Sequence, residues 1–358
     1  MMRLVRAHAL QRRPRVSVVI PCYNYGRFLP QAVGSALDQA GVEVDVLIVD
    51  DASTDGSEHV AHALARAYPN VRVLAHETNR GHLRTYNDGL QAVDGEYVVL
   101  ISADDQLAPG CLARSTALLD RYPSVGFVYG YPQTFEVSPE RIPAQTRSWS
   151  IWNGPQWFAG AARTGRNRIF CPEVVMRADL LASLGYYDLG LPHSADMDLW
   201  YRAAASSDVG RVNGSPQAYY RVHGANMHLT QFAGVLLDLR ERLRTWDGLF
   251  DTVELEGFGP ARLASLRRRC HVSIAHEALG AACSAYDAGR AGQVPVAELA
   301  SFAWQTWPEI TTTLRWRLLQ RRRRLHDAGR RSHWAQVAAA SQDLNQRVQW
   351  RRWRRYGV

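Results

Sequence analysis

Val46-Leu-Ile-Val-Asp50-Asp51 and Tyr97-Val-Val-Leu-Ile-Ser102-Ala-Asp104-Asp105 each join an apolar, β-branched run to a pair of carboxylates. Short runs of this kind, separated by helical patterns, are read as strands of a mostly parallel sheet. The aspartates then fall at the carboxyl edge, where open α/β folds bind their ligands. An unpaired carboxylate is costly to bury, so such an edge suits a base, a ribose or a metal ion better than it suits a core. The sequence predicts an enzyme that handles nucleotides.

Outward from these two runs, strands are predicted at 16–21, 45–49, 71–75, 97–101 and 126–129. Helices are predicted at 29–39, 56–68, 82–93 and 109–122, where apolar residues recur every three or four positions. That alternation is the pattern of right-handed βαβ units. Ser53-Thr-Asp55-Gly-Ser57 is a helix start, with Asp55 as the capping residue. Residues 131–165 are rich in Pro, Trp and Gly and show little periodicity, so a long irregular loop is expected there, suited to a lid or an acceptor surface. A second half follows, with helices at 177–184 and 196–205, a Gly185-Tyr-Tyr-Asp188 turn between them, and an end at His223-Gly-Ala-Asn226. Beyond residue 230 the texture is helical, with Leu236, Leu239, Leu243, Trp246 and Phe250 on one stripe. The expected domains are 1–230, divided into a nucleotide-binding half (16–130) and an acceptor-binding half (131–230), and a helical region at 231–358.

Composition narrows the class. A chain of 358 residues, 46% hydrophobic, can bury a substantial core. No apolar run approaches the roughly 18 residues that span a bilayer, and Met1-Met-Arg-Leu-Val-Arg6 precedes no signal-like stretch, so a cytoplasmic protein is expected. Five scattered cysteines without a C-x-x-C spacing read as reduced core thiols. The chain has no lysine, and residues 311–358 hold thirteen arginines against Asp327 and Asp343. Since the whole chain carries a formal +8, the remainder is mildly acidic and the basic character lies in the tail.

The chemistry-bearing residues lie at the predicted strand ends. Tyr23, just past the first strand, offers a ring on which a nucleobase can stack, and an aspartate of the Asp50-Asp51 pair can accept a hydrogen bond from a base N–H. Asp104 and Asp105 suit Mg²⁺ or Mn²⁺, which would neutralise a leaving diphosphate. Asp196 and Asp198 open a helix; one of them can cap it while the other faces a cleft and deprotonates an acceptor hydroxyl. A lone histidine is more often structural than a ligand, but the place of His223 at the end of the second half suits contact with a metal or phosphate; Arg84 can meet a phosphate or equally stand as an exposed helix charge.

Taken together, the stretches VSVVIPCYNYGRFL, VLIVDDASTDGS, GEYVVLISADD, DMDLWYR and YYRVHGANM resemble, in this order, the inverting family 2 glycosyltransferases with the GT-A fold. The likeness runs from about residue 16 to 226. It implies a Rossmann-like mixed sheet flanked by helices, with a helical C-terminal appendix. It implies that Tyr23, with Pro21 and Asn24 beside it, holds the base, that Asp51 bonds the base, and that Asp104 faces the ribose. Arg84 joins this nucleotide-sugar set. Asp105 is implied as the metal ligand, helped by His223, and Asp196 as the general base with Asp198 in reserve. Mn²⁺ or Mg²⁺, a UDP-sugar donor and a hydroxyl acceptor follow from the same likeness. Ser102 and Ala195 stand where the family often carries acids.

The tail supplies the competing reading. Trp350, Trp353 and Tyr356 share a helical face among arginines, as do helices that lie on anionic membranes, although aromatics packed on the body fit as well. Contact with the inner face of the cell membrane is therefore one expectation, and nucleic acid is not an expected partner. The rival is a non-catalytic nucleotide-binding protein whose basic tail binds membrane or nucleic acid.

Overall fold

In the computed structural model, residues 2–140, 146–167, 169–226, 234–330 and 348 are described. The chain divides into two compact units: Met1–Phe158 with Arg168–Asn226 and Glu254–Glu256, and Ala159–Asn167 with Met227–Val253 and Gly257–Val358.

The first unit is built on a nine-stranded mixed sheet. In chain order its strands are β1 (Arg3–Val5), β2 (Arg15–Cys22), β3 (Glu43–Asp50), β4 (Val71–Ala75), β5 (Tyr97–Leu100), β7 (Val125–Tyr129), β9 (Ser148–Trp152), β10 (Val175–Arg177) and β11 (Asp208–Asn213). Across the sheet the order is β1-β9-β11-β7-β10-β5-β2-β3-β4. Strands β5, β2, β3 and β4 run parallel, and β10 lies antiparallel between β5 and β7. Three further strands, β6 (Gln106–Leu107), β8 (Pro132–Phe135) and β12 (Ala218–Arg221), form a small second sheet in the order β6-β12-β8.

Helices α1 (Leu29–Leu37), α2 (Ser57–Ala67), α3 (His82–Gln91) and α4 (Cys111–Arg121) return the chain between strands. Each presents apolar residues to the sheet, as Leu29, Ala32, Val33 and Ala36 of α1 illustrate. The buried Val16, Val18, Ile20, Val46, Ile48 and Val99 of the parallel strands meet α1, α2 and α4 in one core, while α3 lies on the other face, its Gly89 close against Val19 and Val49. The remaining helices of this region are α5 (Gly154–Ala162), α6 (Ala178–Leu184) and α7 (Ala195–Ser206).

The strand register positions the site. Cys22 is level with Asp50, and Asp50 with Ala75, so Tyr23, Asp51 and His76 leave the sheet edge side by side. On the other flank Leu100 is level with Val19, which carries Asp104 and Asp105 past the same edge.

Two expectations need correction. Residues 131–165 are not one irregular loop, because β8, β9 and α5 lie there. Strand β9, Ser-Trp-Ser-Ile-Trp, is held by antiparallel ladders to β1 and β11, partners about 145 and 60 residues away in sequence. The helix expected from 109 begins at Cys111, since the left-handed Gly110 precedes it and leaves Pro109 outside.

The second unit is helical: α8 (Val235–Thr252), α9 (Pro260–Asp287), α10 (Val296–Thr306) and α11 (Leu314–Asp327). Leu236, Leu239, Trp246 and Leu249 of α8 and Ile274, Ala278 and Ala282 of α9 are buried. No helix among the described residues is long and apolar enough to cross a membrane. Trp350, Trp353 and Tyr356 lie outside the described residues.

Candidate active site

At the end of β2, the Tyr23 ring is 47% exposed and Pro21 lies in the strand opposite Val49. Asn24 adopts a left-handed conformation (φ 58°), as does Ala52 (φ 57°) in the loop after β3. The two turns are tied together: the Asn24 amide donates to Ser53 Oγ at 2.9 Å, and Asn24 Oδ1 accepts from the Thr54 amide at 2.8 Å. Non-glycine residues held in this region are strained and persist only where surrounding contacts impose them. Asn24 thus clasps the 51–55 loop. Asp55 accepts from the Ser57 amide at 2.9 Å, but the capping position expected of it is taken by the left-handed Gly56, one residue later.

Asp51 is 3% exposed and organises a second loop. Its Oδ1 accepts from His76 Nδ1 and the Arg80 amide, both at 2.8 Å, and Oδ2 accepts from the Gly81 amide at 3.0 Å. Gly81, at φ 82°, supplies a backbone turn that a side chain would strain, just where α3 begins. Burial alone would raise the Asp51 pKa; the hydrogen bonds from His76, the Arg80 amide, Thr85 and the Gly81 amide outweigh it and hold the carboxyl below its ordinary range. Arg84 is exposed on α3.

Asp104 and Asp105 are both buried, held by the second sheet. The Arg221 amide on β12 donates to Asp105 Oδ1 at 2.9 Å, and Arg221 Nε donates to the Asp104 carbonyl at 2.9 Å. The same guanidinium reaches the carbonyls of Glu136 and Val137 at 3.2 and 3.1 Å and lies over the rings of Phe28 and Phe135 at 4.7 and 4.4 Å. Replacing Arg221 with Ala is therefore expected to cost about 2–4 kcal/mol, since several buried acceptors lose their donor at once. Urea unfolding measures this, and Arg221→Lys should recover only part, because one ammonium cannot span the same acceptors.

Asp105 Oδ2 is buried with no hydrogen-bond partner. Burial and the adjacent Asp104 push the Asp105 pKa well up, opposed by Arg221. An orphaned carboxylate oxygen next to a second carboxylate fits a hard divalent cation, which would relieve both effects. No group of three or more His, Cys, Asp or Glu arranged around a metal position occurs among the described residues. His223 faces Asp104 rather than Asp105, with Nε2 2.9 Å from Asp104 Oδ2. Its Nδ1 accepts from the Ala225 amide at 3.2 Å, so in the neutral ring Nε2 carries the proton and donates it to Asp104. To bind a metal, His223 must give up that bond.

Asp196 lies in the first turn of α7. Burial pushes its pKa up to about 6, against the opposing effects of the Tyr187 hydroxyl and His193. Tyr187 is held rigidly: Asn87 Nδ2 donates to its carbonyl at 2.9 Å, its amide donates to Asn87 Oδ1 at 3.0 Å, and the Tyr86 ring packs edge-on at 5.6 Å. Asp198 is 2.6 Å from Arg202 Nε, and Arg202 also caps the carbonyls of Leu184 and Tyr186. This ion pair gives Asp198 Oδ2 a structural partner.

The two carboxylate groups share one set of neighbours. Cys171 lies 3.7 Å from the Tyr187 hydroxyl, and burial, then Asp196 and Asp105, push its thiol up. Burial likewise raises the phenols of Tyr86 and Tyr220, and both are pushed further by Asp196, Asp104 and Asp105. Cys171 is thus a half-buried pocket thiol rather than a core one, unlike the other four cysteines. Sequence reasoning missed Cys171, Tyr86, Tyr187, Arg221 and His76. The Gly185-Tyr-Tyr-Asp188 and Tyr220-Arg221 stretches marked the right places without saying which atoms turn inward.

A mixed Rossmann-like sheet with paired carboxylates at its edge, followed by a second half whose helix α7 opens on Asp196 and Asp198, is the GT-A fold. Residues 17–178 match the model for glycosyl transferase family 2. This match, together with relatives named glycosyltransferases, makes the chain a glycosyltransferase, which displaces the non-catalytic alternative. An uncharacterized glycosyltransferase of Nostoc sp. (strain PCC 7120) is 26% identical over 229 residues, 60% of this chain and 67% of that protein. Among solved structures, S. aureus TarS 1-349 in complex with UDP-GlcNAc superposes with a TM-score of 0.55 at 17% identity, covering 72% of each chain. The mannosyltransferase PcManGT from Pyrobaculum calidifontis, in complex with GDP-Man and Mn²⁺, gives 0.56 at 18% identity, covering 90% of this chain and 89% of that one.

Proposed function

We propose that the protein is a metal-assisted, inverting glycosyltransferase that moves a sugar from a nucleotide-diphospho-sugar to a hydroxyl of a glycan, lipid-linked or small-molecule acceptor. The observation that carries this reading is Asp196, a carboxyl pushed up to about 6 by burial, whose charge acts on Cys171 together with that of Asp105. At neutral pH it is ionised yet basic enough to take a proton. A UDP-sugar is the first donor to test, in line with the UDP-GlcNAc complex of TarS, and a divalent cation accords with the Mn²⁺ complex of the mannosyltransferase.

In this reading Tyr23 stacks on the base, Pro21, Asn24 and Asp51 shape the base end, Asp104 faces the ribose and Arg84 meets phosphate. Asp105 holds Mn²⁺ or Mg²⁺, with His223 as a second ligand once released from Asp104. The bound cation supplies charge neutralisation for the departing diphosphate. Asp196 accepts the proton of the acceptor hydroxyl while the new C–O bond forms and the bond to the diphosphate oxygen breaks. One displacement from the opposite face inverts the anomeric carbon and needs no covalent enzyme intermediate.

A base of this kind works only when ionised, so kcat/KM for transfer should fall about tenfold per pH unit below pH 6. Tyr187→Phe removes a hydrogen bond to the ionised form, and the acid limb should move up by roughly one pH unit. A rate–pH profile from 4.5 to 8.5 on UDP-sugars tests both. A flat profile through pH 6 would remove Asp196 from the mechanism.

A further inference from the structure

Helix α11 carries six arginines, and they divide into two groups. Arg322 is bonded to Asp287 at 2.8 and 2.9 Å, Arg315 donates to the His276 carbonyl at 2.9 Å, and Arg323 lies 3.9 Å from Asp327. Arg317, Arg321 and Arg324 are exposed, and none has an ion-pair partner among the described residues. At about 100° per residue these three fall on one side of the helix with Leu314, Leu318 and Leu325, within an arc of roughly 120°. Leu314 is 70% exposed and Leu318 38%, while Leu319, on the other side, is buried. Three leucines flanked by three unpaired guanidiniums form an amphipathic cationic stripe with its apolar part facing outward.

We propose that this face of α11 docks on an anionic lipid surface, the leucines entering the acyl boundary and Arg317, Arg321 and Arg324 meeting lipid phosphates. The charge selects the partner. A second copy of the same face would set like charges against each other. The following residues 331–358 hold six arginines against one aspartate, so that segment has no complementary charge to offer. Nucleic acid would account for the arginines but leaves the exposed leucines without a role. The inference locates the membrane contact of this chain in α11 and is independent of the donor chemistry proposed above.

The experiment is co-sedimentation of the full chain with vesicles of phosphatidylcholine alone or with 30% phosphatidylglycerol, beside UDP-sugar hydrolysis by the same samples. Binding is expected on the anionic vesicles only. It should weaken on the order of 100-fold in Arg317→Gln/Arg321→Gln/Arg324→Gln, at about a factor of five per basic side chain. In Leu314→Ser/Leu318→Ser, whose charge is unchanged, it should weaken at least about fivefold. Hydrolysis should stay at the wild-type rate in both variants, which also reports that they fold. Equal vesicle binding by all three proteins would assign the contact to another segment, and loss in the arginine variant alone would point to simple polyanion binding; either result overturns the proposal. Absent hydrolysis with intact vesicle binding would instead count against the glycosyltransferase mechanism and leave the docking face standing.

Discussion

Asp196→Asn is expected to lower sugar transfer by about 10²–10⁴-fold while making the folded protein more stable at pH 8. The two effects have one cause. Burial lifts the Asp196 pKa from the ordinary aspartate range to about 6, so the fold disfavours the ionised form that the reaction requires. In the unfolded chain the group ionises near pH 4, hence between about pH 4 and 6 the native state binds the extra proton and stability falls as pH rises. Above pH 6 the full penalty applies, of the order of 1–3 kcal/mol once the partial exposure of the side chain is allowed for. Asn keeps a polar group for Tyr187 and cannot ionise. Thermal melts at pH 4 and pH 8 should show the variant matching wild type in acid and exceeding it in base. A variant that retains transfer would show that the proton goes elsewhere.

For Asp105→Asn the expected loss is in metal binding first and turnover second. The orphaned Oδ2 is the oxygen best placed to bind a cation, and an amide substitutes poorly for an anionic ligand. Mn²⁺ titration by calorimetry in the presence of UDP should show at least about 100-fold weaker binding, and metal-stimulated hydrolysis should fall about 10³-fold. His223→Ala should cost less, roughly tenfold, because His223 must break its bond to Asp104 before it can serve as the second ligand. Retained metal stimulation in Asp105→Asn would move the metal site away from this carboxylate.

The two aspartates differ in how they could be found. Asp105 ends an apolar run, and a strand followed by charge is a local signal. Asp196 is one of two acids at a helix start, and which of them is available depends on Arg202, whose guanidinium takes Asp198. The misread 131–165 segment has a similar cause. Strand β9 has no long alternating pattern of its own and exists because β1 and β11 supply its ladder.

What the sequence by itself determined was the alternation of parallel strands and helices, the edge at which Tyr23, Asp51, Asp104 and Asp105 emerge, and the basic character of the C-terminal region. Periodicity and strand-end charge are properties of neighbouring residues, so they can be read along the chain. Only the tertiary structure decided that Asp51 anchors the 76–81 loop, that His223 meets Asp104, that Asn87 fixes Tyr187 beside Asp196, and that the charges of Asp196 and Asp105 both act on Cys171. The hydrogen bonds among them join residues 29, 100 and 119 positions apart, and the state of each carboxyl is set by burial and by donors that no local window contains.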